Sequence, residues 1–188
     1  MFPWDFCYGK IKEFMEEFIK SKIREIPDWP KKGVNFKDIT PLIEDSRAFR
    51  KIIDAMAKPY FGIKIDKIVG IDARGFIFAS ALAYKLKSGV AIVRKKGKLP
   101  SKKVSKKYAL EYGSNTIEMH KDTILAGEKV LLVDDLLATG GTMEAAIDLV
   151  EKLKGKIISV DFLIELTFLN GRKKLKGYKI RSLAKYQS

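Results

Sequence analysis

The chain has 188 residues, of which 46% are apolar, so it is long enough for one substantial core and we expect a single compact domain. It contains one cysteine, Cys7, which excludes an internal disulfide and a metal site built on several thiolates. No run approaches the roughly 18 apolar residues of a membrane span, and no secretion signal is recognisable. The sequence therefore predicts a soluble, cytoplasmic protein.

The charge balance is strongly basic. Lys and Arg number 37 against 23 Asp and Glu, and the net charge of +14 favours nucleic acids, anionic membranes or phosphorylated small molecules as partners. Two stretches carry much of the excess. Residues 94–107 contain one Arg and seven Lys without an acid, and no acid follows Glu165. We interpret the second stretch, residues 172–185, as a solvated surface.

Two amphipathic helices are predicted in the first third of the chain. Apolar residues recur at helical spacing over residues 11–26, and Pro27 and Pro30 end that pattern. Asp45 or Ser46 is placed to cap a second helix. Its apolar face is predicted to comprise Phe49, Ile52, Ile53 and Met56.

From residue 67 onward, short apolar strands alternate with helical patterns. The predicted elements are a strand at 67–72, a helix at 76–86, a strand at 90–93, a hairpin at 108–119, a strand at 130–133, a helix opening at Gly140-Gly141 and a strand at 157–164. This alternation predicts an α/β fold with a mostly parallel central sheet flanked by helices.

The segment at residues 130–142 is the most informative part of the sequence. Asp134 and Asp135 follow an apolar strand, so they are presented at the sheet edge where parallel α/β proteins bind ligands. Gly140 and Gly141 allow the backbone to curl and bring its N–H groups close to an anion at the start of the next helix. The hydroxyls of Thr139 and Thr142 can donate to the same anion. The segment therefore predicts a phosphate site.

Two carboxylates are poor neighbours for a phosphate unless they face another part of the ligand. A ribose 5′-phosphate resolves the conflict, because its ring hydroxyls can donate to Asp134 and Asp135 while its phosphate lies in the glycine loop. The same carboxylates can stabilise positive charge that develops on the ribose ring. The pattern thus favours a phosphorylated sugar as the ligand.

This segment resembles the signature of the phosphoribosyltransferase family. Four further segments resemble adenine phosphoribosyltransferases in the same order, at residues 28–41, 72–76, 94–100 and 110–113. The resemblance implies a type I phosphoribosyltransferase fold. It also implies a small base-binding hood within about residues 1–40 and a flexible loop and hairpin at about residues 95–118.

The resemblance implies a reaction as well as a fold. Members of the family use Mg²⁺, bind phosphoribosyl pyrophosphate on the loop matching Ala138, Thr139, Gly140, Gly141 and Thr142, and transfer its ribosyl carbon to a purine as pyrophosphate leaves. Here the purine is expected to be adenine and the assembly a homodimer. Residues expected to meet the pyrophosphate are Arg74 at a strand end and Arg94, Lys95 and Lys98 in the basic loop, and Ala73 is a further candidate for substrate binding.

The resemblance also assigns residues to the purine. Glu111 becomes the candidate general acid or base, with Tyr112 beside it, on a lid spanning residues 99–112. The purine pocket is expected to be lined by Phe36, Leu136 and Ala138, with backbone groups near Asn35 and Lys37 reading the purine edge. The chain departs from the family pattern at Asn35 for an apolar residue, Lys37 for Arg, and Ala73 for Ser.

Three alternatives stay open at this point. The first is a phosphoribosyltransferase of the same fold that acts on a 6-oxopurine, whose carbonyl needs a donor such as Lys37. A regulator that senses phosphoribosyl pyrophosphate without catalysis would suit the basic charge, although Glu111 argues against it. A phospho-acceptor signalling domain using Asp134 would not need the glycine loop. We expect neither a membrane nor a nucleic-acid partner.

Overall fold

The structure is a computed structural model that describes residues 3–109 and 113–187. These residues form two compact units, Met1–Met56 and Ala57–Ser188. The single domain expected from the sequence stays a prediction, because compactness alone does not separate domains. Within the described part of the chain, no helix is long and apolar enough to cross a bilayer.

The first unit is helical with one small antiparallel ribbon. It contains α1 (Pro3–Lys22), β1 (Arg24–Ile26), β2 (Phe36–Asp38), α2 (Thr40–Glu44) and α3 (Ser46–Ala57). The ribbon pairs Arg24 with Asp38 and Ile26 with Phe36. The helix predicted over residues 11–26 is therefore wrong at its end, since it stops at Lys22 and the next residues form β1.

The predicted second helix is confirmed. Asp45 Oδ1 accepts hydrogen bonds of 3.0 Å from the backbone N–H groups of both Arg47 and Ala48, which is the capping role expected of it. Ile52, Ile53 and Met56 are buried, as their spacing predicts.

The second unit is built on a seven-stranded sheet. In chain order its strands are β3 (Lys67–Ile71), β4 (Gly89–Lys95), β5 (Lys103–Ala109), β6 (Ser114–His120), β7 (Lys129–Leu137), β8 (Lys156–Leu166) and β9 (Ile180–Tyr186). In space the order is β5-β6-β4-β3-β7-β8-β9. Neighbouring strands in the spatial run β4-β3-β7-β8-β9 pair in parallel, and the β5–β6 hairpin is antiparallel.

Two helices cover this sheet. Helix α4 (Gly75–Leu86) packs on β3 and β7, and α5 (Gly141–Lys152) packs on β5, β6 and β8. Close packing of α4 depends on Gly70 in β3, where an added Cβ would lie 2.8 Å from the Cβ of Ala79. The interior is made of apolar strand and helix residues such as Val69, Leu132 and Val160, all with no exposed surface.

Three differences from the sequence-based expectations concern the sheet. Strand β7 continues through Asp134 and Asp135 to Leu137, although the acidic pair was expected to end it. Strand β5 occupies residues that were expected to form a lid, and Leu99 and Val104 of that region are buried. The basic tail contributes β9, which pairs with β8. The solvated surface expected for residues 172–185 is therefore wrong for the residues of β9, which are buried or half-buried.

Candidate active site

The strand order creates one place where ligands are expected to bind. After β3 the chain crosses to β4 through α4, and after β7 it crosses in the opposite direction to β8 through α5. The loops that follow β3 and β7 therefore diverge and leave a crevice at the carboxyl ends of these adjacent strands. The predicted motifs at residues 72–74 and 134–142 both lie at this crevice.

A cleft of about 340 Å³ occupies this position. Predicted residues that line it are Ala73, Arg74, Lys95, Asp134, Asp135, Leu136 and Thr142. A smaller cavity of about 80 Å³ continues from Asp134 along the glycine loop and is lined by Ala138, Thr139, Gly140 and Gly141 among others. The structure thus brings together the two strand-end motifs that the sequence separates by about sixty residues.

The glycine loop at residues 138–142, here called the phosphate loop, leads directly into α5. Gly140 adopts a left-handed backbone with φ of 81° and precedes the first helical residue, Gly141. The first N–H groups of a helix have no partners within it, and they carry the positive end of the helix dipole. The loop therefore presents backbone donors and the half-buried hydroxyls of Thr139 and Thr142 to one small cavity.

Asp134 and Asp135 form an electrostatically unfavourable pair. Removal from water and the neighbouring carboxylate of Asp135 raise the pKa of Asp134 well above its ordinary value. Burial likewise raises the pKa of Asp135, while the Arg74 guanidinium opposes that rise. A ligand that donates hydrogen bonds to these carboxyls, or carries positive charge beside them, would relieve the cost of ionising both.

Asp135 retains acceptor capacity toward the cleft. Its Oδ2 lies 2.9 Å from Nε of Arg74, an ion pair by distance. The approach is not aligned as a hydrogen bond, so this buried oxygen accepts none from the described residues. Buried acceptors are rarely left without a donor, and a ribose hydroxyl has the required chemistry.

The predicted cations are placed unequally. Lys95 lines the cleft, and Arg74 stands at its edge against Asp135. Arg94 instead places Nε 3.3 Å from Oδ2 of Asp72 and donates from Nη1 to the carbonyl of Lys98 at 3.3 Å. Arg94 and Lys98 are not among the described residues that line either cavity. Alternation along β4 explains the contrast between Arg94 and Lys95, since neighbouring strand residues face opposite sides.

Sequence reasoning did not single out Tyr108, although it lines the cleft. The hydroxyl of Thr142 donates a 3.1 Å hydrogen bond to the hydroxyl of Tyr108. This bond joins strand β5 of the hairpin to the phosphate loop. A tyrosine three residues before the predicted acid Glu111 was the available signal in the sequence.

Asn35, Phe36 and Lys37 belong to the first unit. Asn35 Nδ2 donates to Oε2 of Glu25 at 2.7 Å, and Nζ of Lys37 lies 2.9 Å from the same oxygen. Lys37 and Asn35 lower the pKa of Glu25 through these hydrogen bonds. Phe36 packs edge-on against Trp29 with ring centroids 4.4 Å apart. Two of the departures from the family pattern are thus joined through one carboxylate on β1.

Glu111 and Tyr112 lie outside the described residues. The metal prediction can be tested only against side chains that are described, and these contain no cluster of three His, Cys, Asp or Glu residues. The carboxylates of Asp134 and Asp135 nevertheless fit Mg²⁺, because this ion is usually held by one or two carboxylates together with water and substrate phosphates.

A glycine loop at a helix start and a carboxylate pair, both at the switch point of a parallel sheet, have the chemistry expected of a site for a phosphorylated sugar. The family described as "Phosphoribosyl transferase domain" matches residues 42–181. The chain belongs to the phosphoribosyltransferase family.

Relatives and solved structures show which members of the family this chain is similar to. The adenine phosphoribosyltransferase of Trichlorobacter lovleyi is 55% identical over 170 residues, which cover 90% of this chain and 99% of that protein. The crystal structure of the enzyme of that name from Thermoanaerobacter pseudethanolicus has a TM-score of 0.88 at 55% identity, covering 92% of this chain and 99% of that one. The type I phosphoribosyltransferase fold is confirmed.

A third neighbour carries ligands. The adenine phosphoribosyltransferase of Saccharomyces cerevisiae, complexed with D-2,5-dideoxy-2,5-imino-altritol 1,6-bisphosphate and adenine, has a TM-score of 0.86 at 38% identity. The match covers 91% of this chain and 99% of that one.

Proposed function

We infer that this chain is an adenine phosphoribosyltransferase, which joins adenine to the ribose phosphate of phosphoribosyl pyrophosphate and yields AMP and pyrophosphate. The observation that carries this inference is the phosphate loop beside Asp134 and Asp135 at the switch point of the sheet. Relatives more than 50% identical over about nine-tenths of the chain bear the name of that activity. The 6-oxopurine and regulator alternatives gain no support from these relatives.

The first step is recognition of the ribose 5-phosphate part of the substrate. Backbone N–H groups of residues 139–142 and the Thr139 hydroxyl would donate to the 5′-phosphate, and the Thr142 hydroxyl could donate to it only in exchange for its bond to Tyr108. Oδ2 of Asp135, which accepts no hydrogen bond from the described residues, would accept from a ribose hydroxyl, and Asp134 would accept from another. These contacts fix the anomeric carbon relative to the rest of the cleft.

In the chemical step the purine nitrogen bonds to the anomeric carbon as the bond from that carbon to the pyrophosphate oxygen breaks. Positive charge develops on the ribose ring, beside two carboxyls whose ionisation is otherwise costly. The pair therefore interacts more favourably with the transition state than with the neutral sugar. Arg74 and Lys95 at the cleft would receive the charge of the departing pyrophosphate.

Adenine carries a proton on the ring nitrogen system that must leave when the new bond forms. Glu111 is our candidate to exchange that proton, with Tyr112 beside it on the same segment. This assignment rests on the resemblance of residues 110–113 to the family, and Glu111→Ala tests it.

A role in base choice stays a prediction for Phe36, Leu136 and Ala138. Lys37 is buried, 5% exposed, and its ammonium group is engaged by Glu25. The ion pair holds the ammonium group beside Glu25, so recognition of an oxopurine carbonyl by Lys37 would need a second contact from the same group.

Magnesium and a homodimer complete the proposal. When bound, Mg²⁺ would be held mainly by substrate oxygens and would neutralise part of the pyrophosphate charge, and Asp134 or Asp135 could add a ligand. The resemblance to the family implies that the N-terminal helix and the basic loop lie near the subunit contact of such a dimer. Size-exclusion chromatography with light scattering tests the dimer, and a cytoplasmic location stays a prediction.

The test is pyrophosphate release from phosphoribosyl pyrophosphate and Mg²⁺, with adenine, hypoxanthine, guanine or no base. We expect release with adenine, little with the oxopurines, and a rate lowered by a factor on the order of 100 or more in Glu111→Ala. The control is Glu144→Ala, because Glu144 is exposed. The buried Glu118 is not suitable as a control.

Three results would redirect the assignment. Release only with an oxopurine would move base recognition to Asn35 and Lys37. Tight binding of phosphoribosyl pyrophosphate without release, for any base, would favour the regulator. Equal rates for the wild type and Glu111→Ala would remove Glu111 from the proton transfer while leaving the activity intact.

A further inference from the structure

The basic tail, to which the sequence assigned no role, begins at Arg172, and this residue forms an ion pair with Glu165 of strand β8. Arg172 donates from Nε and Nη2 to the two carboxylate oxygens of Glu165, each at 2.7 Å. Nη2 also lies 3.2 Å from the hydroxyl of Ser182, which itself donates to Glu165 at 2.6 Å. Nη1 donates to the carbonyl of Ile180 at 3.3 Å. One side chain thus binds both β8 and β9.

Burial makes this contact more than a surface pair. Glu165 is 4% exposed, and the Arg172 guanidinium and the Ser182 hydroxyl hold its pKa below the ordinary range despite burial. The paired forks of a guanidinium and a carboxylate fix direction as well as distance. Arg172 is therefore held in one orientation relative to the sheet.

The residue next to Arg172 contacts the phosphate loop from behind. Gly171 begins the 3-10 helix Gly171–Leu175, and a Cβ added to it would overlap the carbonyl oxygen of Ala138. Conversely, a Cβ added to Gly140 would lie 2.6 Å from the carbonyl oxygen of Gly171. Two backbones therefore meet without side chains between them, at the loop proposed to hold the 5′-phosphate.

The far end of this 3-10 helix is also fixed. Leu175 has no exposed surface and belongs to the hydrophobic core that includes Met143 and Ile147 of α5. Gly171 is consequently anchored through its neighbour Arg172, which is held by Glu165, and through Leu175 at the end of the same 3-10 helix. Displacement of Gly171 would remove the surface against which Ala138 and Gly140 rest.

We propose that the Glu165–Arg172 pair is a positioning element for the phosphate loop and acts through Gly171. Neither charged residue lines the cleft, so the pair stabilises the loop geometry and not the ligand directly. The proposal rests on the proposed function in taking residues 138–142 as the 5′-phosphate site. It assigns a role in substrate binding to a part of the chain that carries no recognisable motif.

The proposal predicts an effect on one substrate and not on the other. In Gly171→Ala we expect the KM for phosphoribosyl pyrophosphate to rise about 10- to 100-fold, because a displacement near 1 Å at a binding group has effects of that order. The KM for adenine should stay within about twofold. Arg172→Lys, which keeps the charge but loses the two-pronged contact, should raise the same KM by roughly 3- to 10-fold.

Matched controls separate positioning from general loss of stability. Gly177→Ala introduces a side chain at a φ of 100° in the same region, with no atom within 4 Å of the new Cβ. Lys64→Gln removes an exposed ion pair with Asp66. Both controls should keep each KM within about twofold of the wild type. If Gly171→Ala does not fold, Arg172→Lys decides the question.

Binding of ribose 5-phosphate, measured by titration calorimetry, keeps this test independent of turnover. Weaker binding in Gly171→Ala and Arg172→Lys, with wild-type binding in both controls, would support the proposal even if the wild type released no pyrophosphate with adenine. Wild-type affinity for ribose 5-phosphate in both test variants would overturn it. An equal loss of adenine and phosphoribosyl pyrophosphate affinity would also overturn it, because a merely structural role would affect both.

Discussion

Two segments of this chain were expected to meet a phosphorylated ligand, and the structure builds them very differently. The phosphate loop, residues 138–142, contains no cation and relies on backbone donors, two hydroxyls and the start of α5. The basic segment, residues 94–98, is rich in cations. Yet Arg94 is paired with Asp72, and of these residues Lys95 lines the cleft.

On the proposed assignment of the 5′-phosphate to residues 138–142, local charge density is a poor guide to an anion site. Backbone donors at a helix start are already oriented, so little conformational entropy is lost when a phosphate binds them. Exposed lysines keep their rotamer freedom and are well solvated. We therefore expect changes in the phosphate loop to have large effects, and changes in the basic segment to have effects that depend on whether the side chain reaches the cleft.

The largest contrast is expected between two glycines with nearly the same backbone. Gly140 and Gly97 have φ of 81° and 83°, but an added Cβ meets the Gly171 carbonyl in the first case and no atom within 4 Å in the second. Gly140→Ala should raise the KM for phosphoribosyl pyrophosphate about 100-fold, measured by steady-state kinetics. Gly97→Ala should change it less than about threefold. Similar effects of both would mean that backbone strain alone matters.

A smaller contrast is expected within the basic segment. Lys95→Gln should lower kcat/KM for phosphoribosyl pyrophosphate roughly 10-fold, since a hydrogen bond to a charged group contributes about 1.5–3 kcal/mol. Lys98→Gln should leave it within about twofold, because Lys98 does not line the cleft. The comparison breaks down if the two variants are equally impaired, or if Lys98→Gln is the worse.

The hydroxyl bond between Tyr108 and Thr142 links the hairpin to the phosphate loop. Tyr108→Phe removes one hydroxyl and should raise the KM for phosphoribosyl pyrophosphate about 2- to 5-fold, in keeping with the net contribution of a single neutral hydrogen bond. Tyr178→Phe is the matched control, since its hydroxyl bonds to Glu151 away from the cleft. A larger effect in the control would argue against the link.

Removal of one charge from the carboxylate pair is expected to raise stability and to lower activity. The folded-state pKa of Asp134 is raised, chiefly by removal from water. The contribution of this carboxyl to stability is therefore fully present below its unfolded pKa of about 4, where it is protonated, and is lost as the pH rises. Asp134→Asn should therefore raise Tm by a few degrees at neutral pH while lowering activity. That gain should disappear toward pH 4.

Calorimetric scans between pH 4 and pH 8 measure this effect, with Asp122→Asn at an exposed site as the control. A gain in Tm that does not vary with pH would mean that the ionised pair is not its source. A loss of stability at pH 7 would show that the Asp134 carboxylate is needed by the fold, contrary to the raised pKa.

The parts of the fold that local sequence specifies were predictable. A wholly apolar strand, two acids and a glycine turn specify β7, the phosphate loop and α5 without reference to distant residues. The capping role of Asp45 is local in the same way. The resemblance of further segments then identified the family, which the relatives confirm.

Features that depend on distant partners were missed. Strand β1 has three residues, too few to show a period, and it exists because it pairs with β2. Strand β9 lies in a lysine-rich tail whose half-buried positions do not alternate clearly. The contact of Gly171 with Ala138 joins residues more than thirty positions apart. The available signal in the sequence was Gly171 after Asn170, because a glycine can mark a close approach of two backbones.

The most direct test of the central claim is a crystal structure of the chain with AMP. The account predicts that the phosphate lies within hydrogen-bond distance of the backbone N–H groups of residues 139–142, with the ribose hydroxyls at Asp134 and Asp135. A phosphate bound instead by Arg94 and Lys98, with residues 138–142 making no contact to the nucleotide, would contradict it.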